Sequence, residues 1–96
     1  VINIYNREDL ERGGVMIKLS EMREKEVINI RDGAKIGLIY DFEINLEKGE
    51  VMAVVVPGPG KILGIFGKNK DLVIDWKNIV RIGTDAILVD IDIEAQ

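Results

Sequence analysis

The sequence predicts an all-β domain, a small barrel of about six short antiparallel strands with one short helical turn near Trp76. Three observations predict it. Residues 34–45 carry Ile36, Leu38, Tyr40, Phe42 and Ile44 at every second position. A strand repeats every two residues, so these five share one face of a long strand, and Gly37, Ile39, Asp41 and Glu43 share the other. Turn signals recur between the apolar runs, at Asp32-Gly33, at Glu47 to Glu50, at Pro57 to Gly60, at Gly67 to Lys70 and at Gly83 to Asp85. No stretch of ordinary helix length carries a helical period. A barrel is preferred to a sandwich because a long strand at 34–45 has room to bend and pair on both sides, and closure removes exposed edges.

In chain order, Val1 to Tyr5 has the composition of a short strand and Asn6 to Arg12 that of one polar helical turn capped by Asn6. Gly13-Gly14 then breaks the chain. The Val-Ile-Asn-Ile repeat at 1–4 and 27–30 is a coincidence expected in a chain this rich in Val and Ile. Residues 1–15 are expected to be an N-terminal extension and residues 16–96 the domain, the alternative being that Met16 is the natural start and 1–15 upstream sequence.

Met16 to Leu19 reads as a short strand, Ser20 to Glu24 as a polar link, and Glu26 to Ile30 as a second strand. Arg31-Asp32-Gly33 closes that strand, because glycine takes positive φ without a Cβ clash. After the long strand, Gly49 turns the chain into Val51 to Val56, an unbroken apolar run of the kind buried on both faces. Pro57 ends it, since proline lacks the donor a ladder needs. Lys61 to Phe66 and Asp71 to Ile74 read as short strands, Trp76 to Ile79 as a helical turn, and Arg81-Ile82 with Ala86 to Ile91 as the closing pair. Trp76 is expected to plug the core.

Composition narrows the function. The chain of 96 residues is long enough for one modest core and has no cysteine and no histidine. It therefore has no disulfide framework or thiolate metal site, and lacks the commonest general base near neutral pH. A cytoplasmic location suits a cysteine-free chain. Nothing approaches the roughly 18 consecutive apolar residues of a membrane span, so no membrane insertion is expected. A net charge of −4 argues against direct nucleic-acid binding.

No residue set argues for a reaction. Asp41 and Glu43 share a strand face, but acid–base work needs surroundings that separate two pKa values, which an open strand face does not supply. Asp71 with Asp75, or Asp85 with Asp90, lack the loop that cages a hard cation, so turn and cap duty is expected. Gly58, Gly60 and Gly64 have neither the spacing nor the following helix of a phosphate-binding loop. Lys61, Lys68 and Lys70 have one aromatic nearby, Phe66, which makes a poor platform for bases. No cofactor and no metal is expected.

An ordered set of residues resembles the PRC-barrel superfamily, specifically its small single-domain bacterial branch, the YlmC/YmxH-type sporulation proteins. The set runs from Leu19-Ser20-Glu21-Met22 and Lys25 to Asn29, through the Asp32-Gly33 turn with Gly37, then Tyr40-Asp41 and Gly49. It continues with Gly60 to Gly64, Phe66-Gly67, Leu72-Val73-Ile74 before Trp76, Ile79, and Ile82 to Asp85. Asp75 stands where the family usually has proline. The resemblance implies a non-enzymatic barrel used for assembly or interaction. The alternative expectation is an adaptor docking on an RNA–protein surface, as in ribosome maturation, or on a small ligand.

A docking place follows from the strand period. Lys61 to Gly67 carries Ile62, Leu63, Ile65 and Phe66, and a strand with one face in the core buries only alternate positions. The other pair is either covered by the chain's own N-terminal segment or a bend in the strand, or forms an apolar patch, which marks a binding surface. A homodimer is the commonest way to cover one. Asp32, Gly33, Gly37, Gly49 and Trp76 are expected to serve as turn and core.

Overall fold

The computed structural model describes residues 5, 6, 8, 16–57 and 71–92. Among them run eight strands: β1 (Tyr5–Asn6), β2 (Glu26–Asn29), β3 (Lys35–Leu38), β4 (Asp41–Asn45), β5 (Glu50–Val56), β6 (Leu72–Asp75), β7 (Ile79–Ile82) and β8 (Ala86–Val89). A short helix, α1 (Leu19–Met22), precedes β2, and a 3-10 turn, Trp76–Asn78, joins β6 to β7. The all-β class is as the sequence predicts.

The Asp32-Gly33 turn forms as its residues require. Gly33 sits at φ 71°, a backbone region in which a Cβ is strained. Its N–H donates to Asn29 O at 2.8 Å, and Asp32 Oδ1 accepts from the Ala34 N–H at 2.9 Å, the local bond that makes aspartate a turn residue. β2 and β3 then pair antiparallel.

The long strand expected over 34–45 is instead two strands in two sheets. The five-stranded sheet has the order β1-β7-β8-β2-β3, and the three-stranded sheet the order β4-β5-β6. Val27 faces Gly37 while Ile28 faces Lys35, which leaves Ile36 as an extra residue on β3. Gly37 takes φ 132°. Such a bulge bends a strand and increases its twist. A Cβ on Gly37 would lie 3.8 Å from Pro57 Cδ, so the corner brings β3 against the end of β5. Crossing between sheets resets the buried face. Ile39 is buried, Ile36 and Phe42 are partly buried, and Leu38, Tyr40 and Ile44 are each about half exposed.

Three further expectations are corrected. Met16 to Leu19 is not a strand: the chain enters α1, where Glu21 Oε1 accepts the Lys18 N–H at 3.2 Å, half of a capping box. The pairing is not wholly antiparallel, because β2 and β8 run parallel from Glu26 opposite Ala86 to Asn29 opposite Val89. Nor do the described strands close into one barrel, for no pairing among them joins the two sheets.

One core lies between the sheets. Val27, Ile79, Ile82, Ile87 and Val89 enter it from the five-stranded sheet, Val54, Val56, Leu72 and Ile74 from the three-stranded one, and Met22, Ile39 and Ile91 from between the strands. β5 is the middle strand of its sheet, and Ala53 to Val56 are buried on both faces as the apolar run predicts. Trp76 is partly buried at the margin of this core, not a plug within it. Asp75, ahead of the 3-10 turn, has φ −59°, within the range a proline ring imposes. The turn therefore forms without proline.

Polar side chains tie the two ends of the five-stranded sheet. Asn29, 1% exposed, donates from Nδ2 to Ile91 O at 3.0 Å, and its Oδ1 accepts from Ile91 N and from Arg31 N, both at 3.3 Å. Asn78 Nδ2 donates to Asp90 O at 3.0 Å, and Asp90 N returns a bond to Asn78 O at 2.9 Å. Lys25, also buried, donates from Nζ to Thr84 O at 2.7 Å. Burial of such groups is tolerated only when they are bonded, and each of these is.

Candidate interaction surface

The predicted patch residues Ile62, Leu63, Ile65 and Phe66 lie outside the described residues. Of the predicted turn and core residues, Asp32, Gly33 and Gly37 belong to the β2–β3 hairpin and its corner, and Trp76 to the 3-10 turn. Gly49, at φ 66°, turns β4 into β5.

Elsewhere the described surface carries its own large apolar side chains. Leu38 and Tyr40 flank the corner between sheets, and Ile44, Leu46 and Met52 lie in the outer half of the β4–β5 hairpin. Leu46 is 88% exposed. The hairpin tip is nonetheless built: Gly49 N–H donates to Asn45 O at 2.8 Å, and Asn45 Oδ1 accepts from Glu47 N at 3.0 Å and Lys48 N at 3.1 Å. Glu43 faces Ala53 while Ile44 faces Val51, leaving Met52 as an extra residue on β5. This bulge falls where the strands leave the core, and Met52 is exposed there.

Two hollows adjoin this surface. The first, about 450 Å³, is lined by Glu43, Met52, Ala53, Asp75 and Lys77. Ala53 stands in register between Glu43 on β4 and Asp75 on β6, and a small side chain between two longer ones leaves the space. The second, about 420 Å³, is lined by Ser20, Arg23, Glu24, Leu38, Ile39 and Tyr40.

The acids weighed for chemistry have structural partners or face water. Asp90 Oδ1 lies 2.6 Å from Arg31 Nε, and Asp92 Oδ2 lies 3.9 Å from the same guanidinium. The hydrogen bond that Arg31 donates to Asp90, followed by the charge of Asp90, raises the Arg31 pKa. Tyr40 hydrogen-bonds Asp71, and this bond, followed by desolvation and the charge of Asp71, raises the phenol pKa. Asp41 and Glu43 are exposed, and Asp41 Oδ1 accepts the N–H of Phe42 at 2.8 Å. The arrangement offers apolar contact with an acidic rim. No described helix is long and apolar enough to cross a membrane.

The backbone-bonding roles of Asn29 and Asn78, and the exposed apolar side chains at the Gly49 hairpin tip, were not singled out from the sequence. Asn29 had a signal, since it lies two residues after Val27 and so shares its inward face.

Two sheets around a shared core, with a bulged corner between β3 and β4, define a small all-β domain of the module type. The chain belongs to the PRC-barrel domain family, whose model matches residues 14–96. Among its relatives it is 50% identical over 74 residues to the probable sporulation protein YlmC of Bacillus subtilis, covering 77% of this chain and 91% of the relative. An uncharacterized protein of Clostridium acetobutylicum is 43% identical over 74 residues, 77% of this chain and 84% of the relative. Bacillus subtilis YmxH, also uncharacterized, is 31% identical over 77 residues, 78% of this chain and 89% of the relative.

Proposed function

We propose that this chain is a non-catalytic PRC-barrel module that acts by protein–protein contact, self-associates as a dimer, and serves a sporulation-associated assembly in the cytoplasm. The observation that carries the reading is the set of large apolar side chains left exposed along one stretch of chain, Leu38, Ile44 and Met52 each nearly half exposed and Leu46 almost fully. Scattered apolar side chains are ordinary on a protein surface, but a concentration on one hairpin marks a contact surface. The sporulation setting follows the name given to the B. subtilis relative. A negative net charge favours protein over RNA as the partner.

In this reading either Leu63 and Ile65, or else Ile62 and Phe66, supply part of the dimer contact. Sizing by light scattering, with nuclease-treated pull-down alongside, tests it. A dimer that Leu63→Lys or Phe66→Lys converts to a folded monomer is expected. A wild-type monomer that retains no protein partner, or a partner lost on nuclease treatment, contradicts it.

A further inference from the structure

We propose that the free edge of β4 docks an extended protein segment in which basic residues alternate with aliphatic ones, adding a strand to the β4-β5-β6 sheet. The proposal rests on the interaction-module reading and names one edge and one partner chemistry for it. Among the described residues β4 pairs only with β5, so among them its other side meets no strand and offers an edge to which an extended chain can add.

The side chains of β4 specify what can add. Phe42 and Ile44 share the face of their cross-strand partners Val54 and Val51, whereas Asp41 and Glu43 share the opposite face with Val55 and Ala53. Val54 is wholly buried, Phe42 is partly buried and Ile44 is half exposed, so the apolar layer stops unfinished at this edge. A neighbouring strand with aliphatic residues at the matching positions would complete it. On the other face its intervening residues would meet two carboxylates.

A second copy does not satisfy that pattern. The two-fold antiparallel register that engages all of β4 centres on Glu43 and sets it against its own copy. Shifting the centre to Phe42 sets Asp41 against Glu43, and shifting it to Ile44 leaves only residues 43–45 paired. Like charges directly opposite destabilise a strand pair, and opposite charges stabilise it. The acids thus guard the edge against self-pairing while selecting lysine or arginine, and the net charge of −4 adds long-range attraction for a basic segment. Asp41 Oδ1 already holds the Phe42 N–H. An incoming lysine competes for that carboxylate, which predicts slower association than at a bare edge.

The test uses the full chain and a fluorescent seven-residue peptide alternating Lys with Val, followed by anisotropy at low and high salt. Controls are the same peptide with Glu in place of Lys and a block-scrambled version. The Lys–Val peptide is expected to bind best, to weaken with salt, and to lose about tenfold in affinity to Glu43→Lys. Should Glu43→Lys misfold by circular dichroism, Asp41→Lys carries the same expectation. A second arm mixes wild type with the Asp41→Lys, Glu43→Lys double variant, both carrying whichever of Leu63→Lys and Phe66→Lys gives a folded monomer, to remove the other proposed contact. A heterodimer is expected where each species alone stays monomeric. Equal binding of the Lys and Glu peptides, undiminished binding by the charge-reversed variants, or no heterodimer overturns the edge assignment. Any of these results leaves intact the interaction-module reading, whose dimer contact lies at residues 62–66, outside β4.

Discussion

The two sheets draw on the same aliphatic residues and use them differently. In the five-stranded sheet β2 and β8 alternate buried and half-buried positions, and the polar side chains of Asn29, Asn78 and Lys25 are each bonded to backbone across the sheet. In the three-stranded sheet, only β5 is buried through four successive residues; its hairpin with β4 leaves Ile44, Leu46 and Met52 in solvent and carries Asp41, Glu43, Glu47 and Glu50 exposed beside them. Hydrophobic residues stabilise a fold only where they leave water. The latched sheet therefore stabilises the fold more than the hairpin tip does, because the apolar side chains of the tip stay in water.

The largest test of this division is a pair of deletions. Ile87 on β8 is wholly buried in the core, and Ile87→Ala is expected to cost about 2–5 kcal/mol. Leu46→Ala, at the hairpin tip, should stay within about 0.5 kcal/mol. Urea unfolding of both variants reads the difference, and similar losses would break the comparison. Next in size is Asn29→Ala, which strands the Ile91 carbonyl and two backbone N–H groups in or beside the core. It is expected to cost about 1–3 kcal/mol, measured the same way.

The glycine turns sharpen the comparison, because they are matched. Gly33 and Gly49 sit at φ 71° and 66°, with nothing within 4 Å of a would-be Cβ at either. Alanine therefore brings backbone strain alone, on the order of 1–2 kcal/mol. Gly33→Ala is expected to show that loss in global unfolding, and Gly49→Ala less of it, because a hairpin tip beyond the core can relax locally. An equal loss would place the tip in the same cooperative unit as the latched sheet.

The smallest effect is spectroscopic. Asp71 stabilises the neutral phenol of Tyr40, so its pKa lies above the usual value near 10. A raised folded-state pKa means that this contact contributes below the unfolded pKa and is lost as pH rises through the folded one. In a Tyr5→Phe background, ultraviolet titration should show Tyr40 ionising at higher pH than free tyrosine, and Asp71→Asn should lower that midpoint.

Much of the fold was legible because it is written locally. Asp32-Gly33 and Gly49 announce turns, Pro57 ends a strand, and the Val51 to Val56 run announces burial on both faces that holds from Ala53 to Val56 but not at Val51 or Met52. The break at Ile39-Tyr40 had one sign, Gly37, an isolated glycine in a strand pattern that marks a bulge. A five-residue alternation outweighed it, yet alternation reports a common face only while the strand stays in one sheet. The parallel β2–β8 pair was not legible, since it joins Glu26 to Ala86 and local pattern does not encode distant strand order. The exposed hairpin tip was hidden because Ile44 and Met52 read as core until the register shows where the core ends.

Native-state hydrogen exchange tests the division most directly, since it measures the opening free energy of each backbone amide. The account predicts that the bonded amides of β2, β7 and β8 exchange only through global unfolding, while those around residues 44–52 exchange through local opening at least about tenfold faster. Uniform protection across both sheets, or protection greatest at the β4–β5 tip, would contradict it.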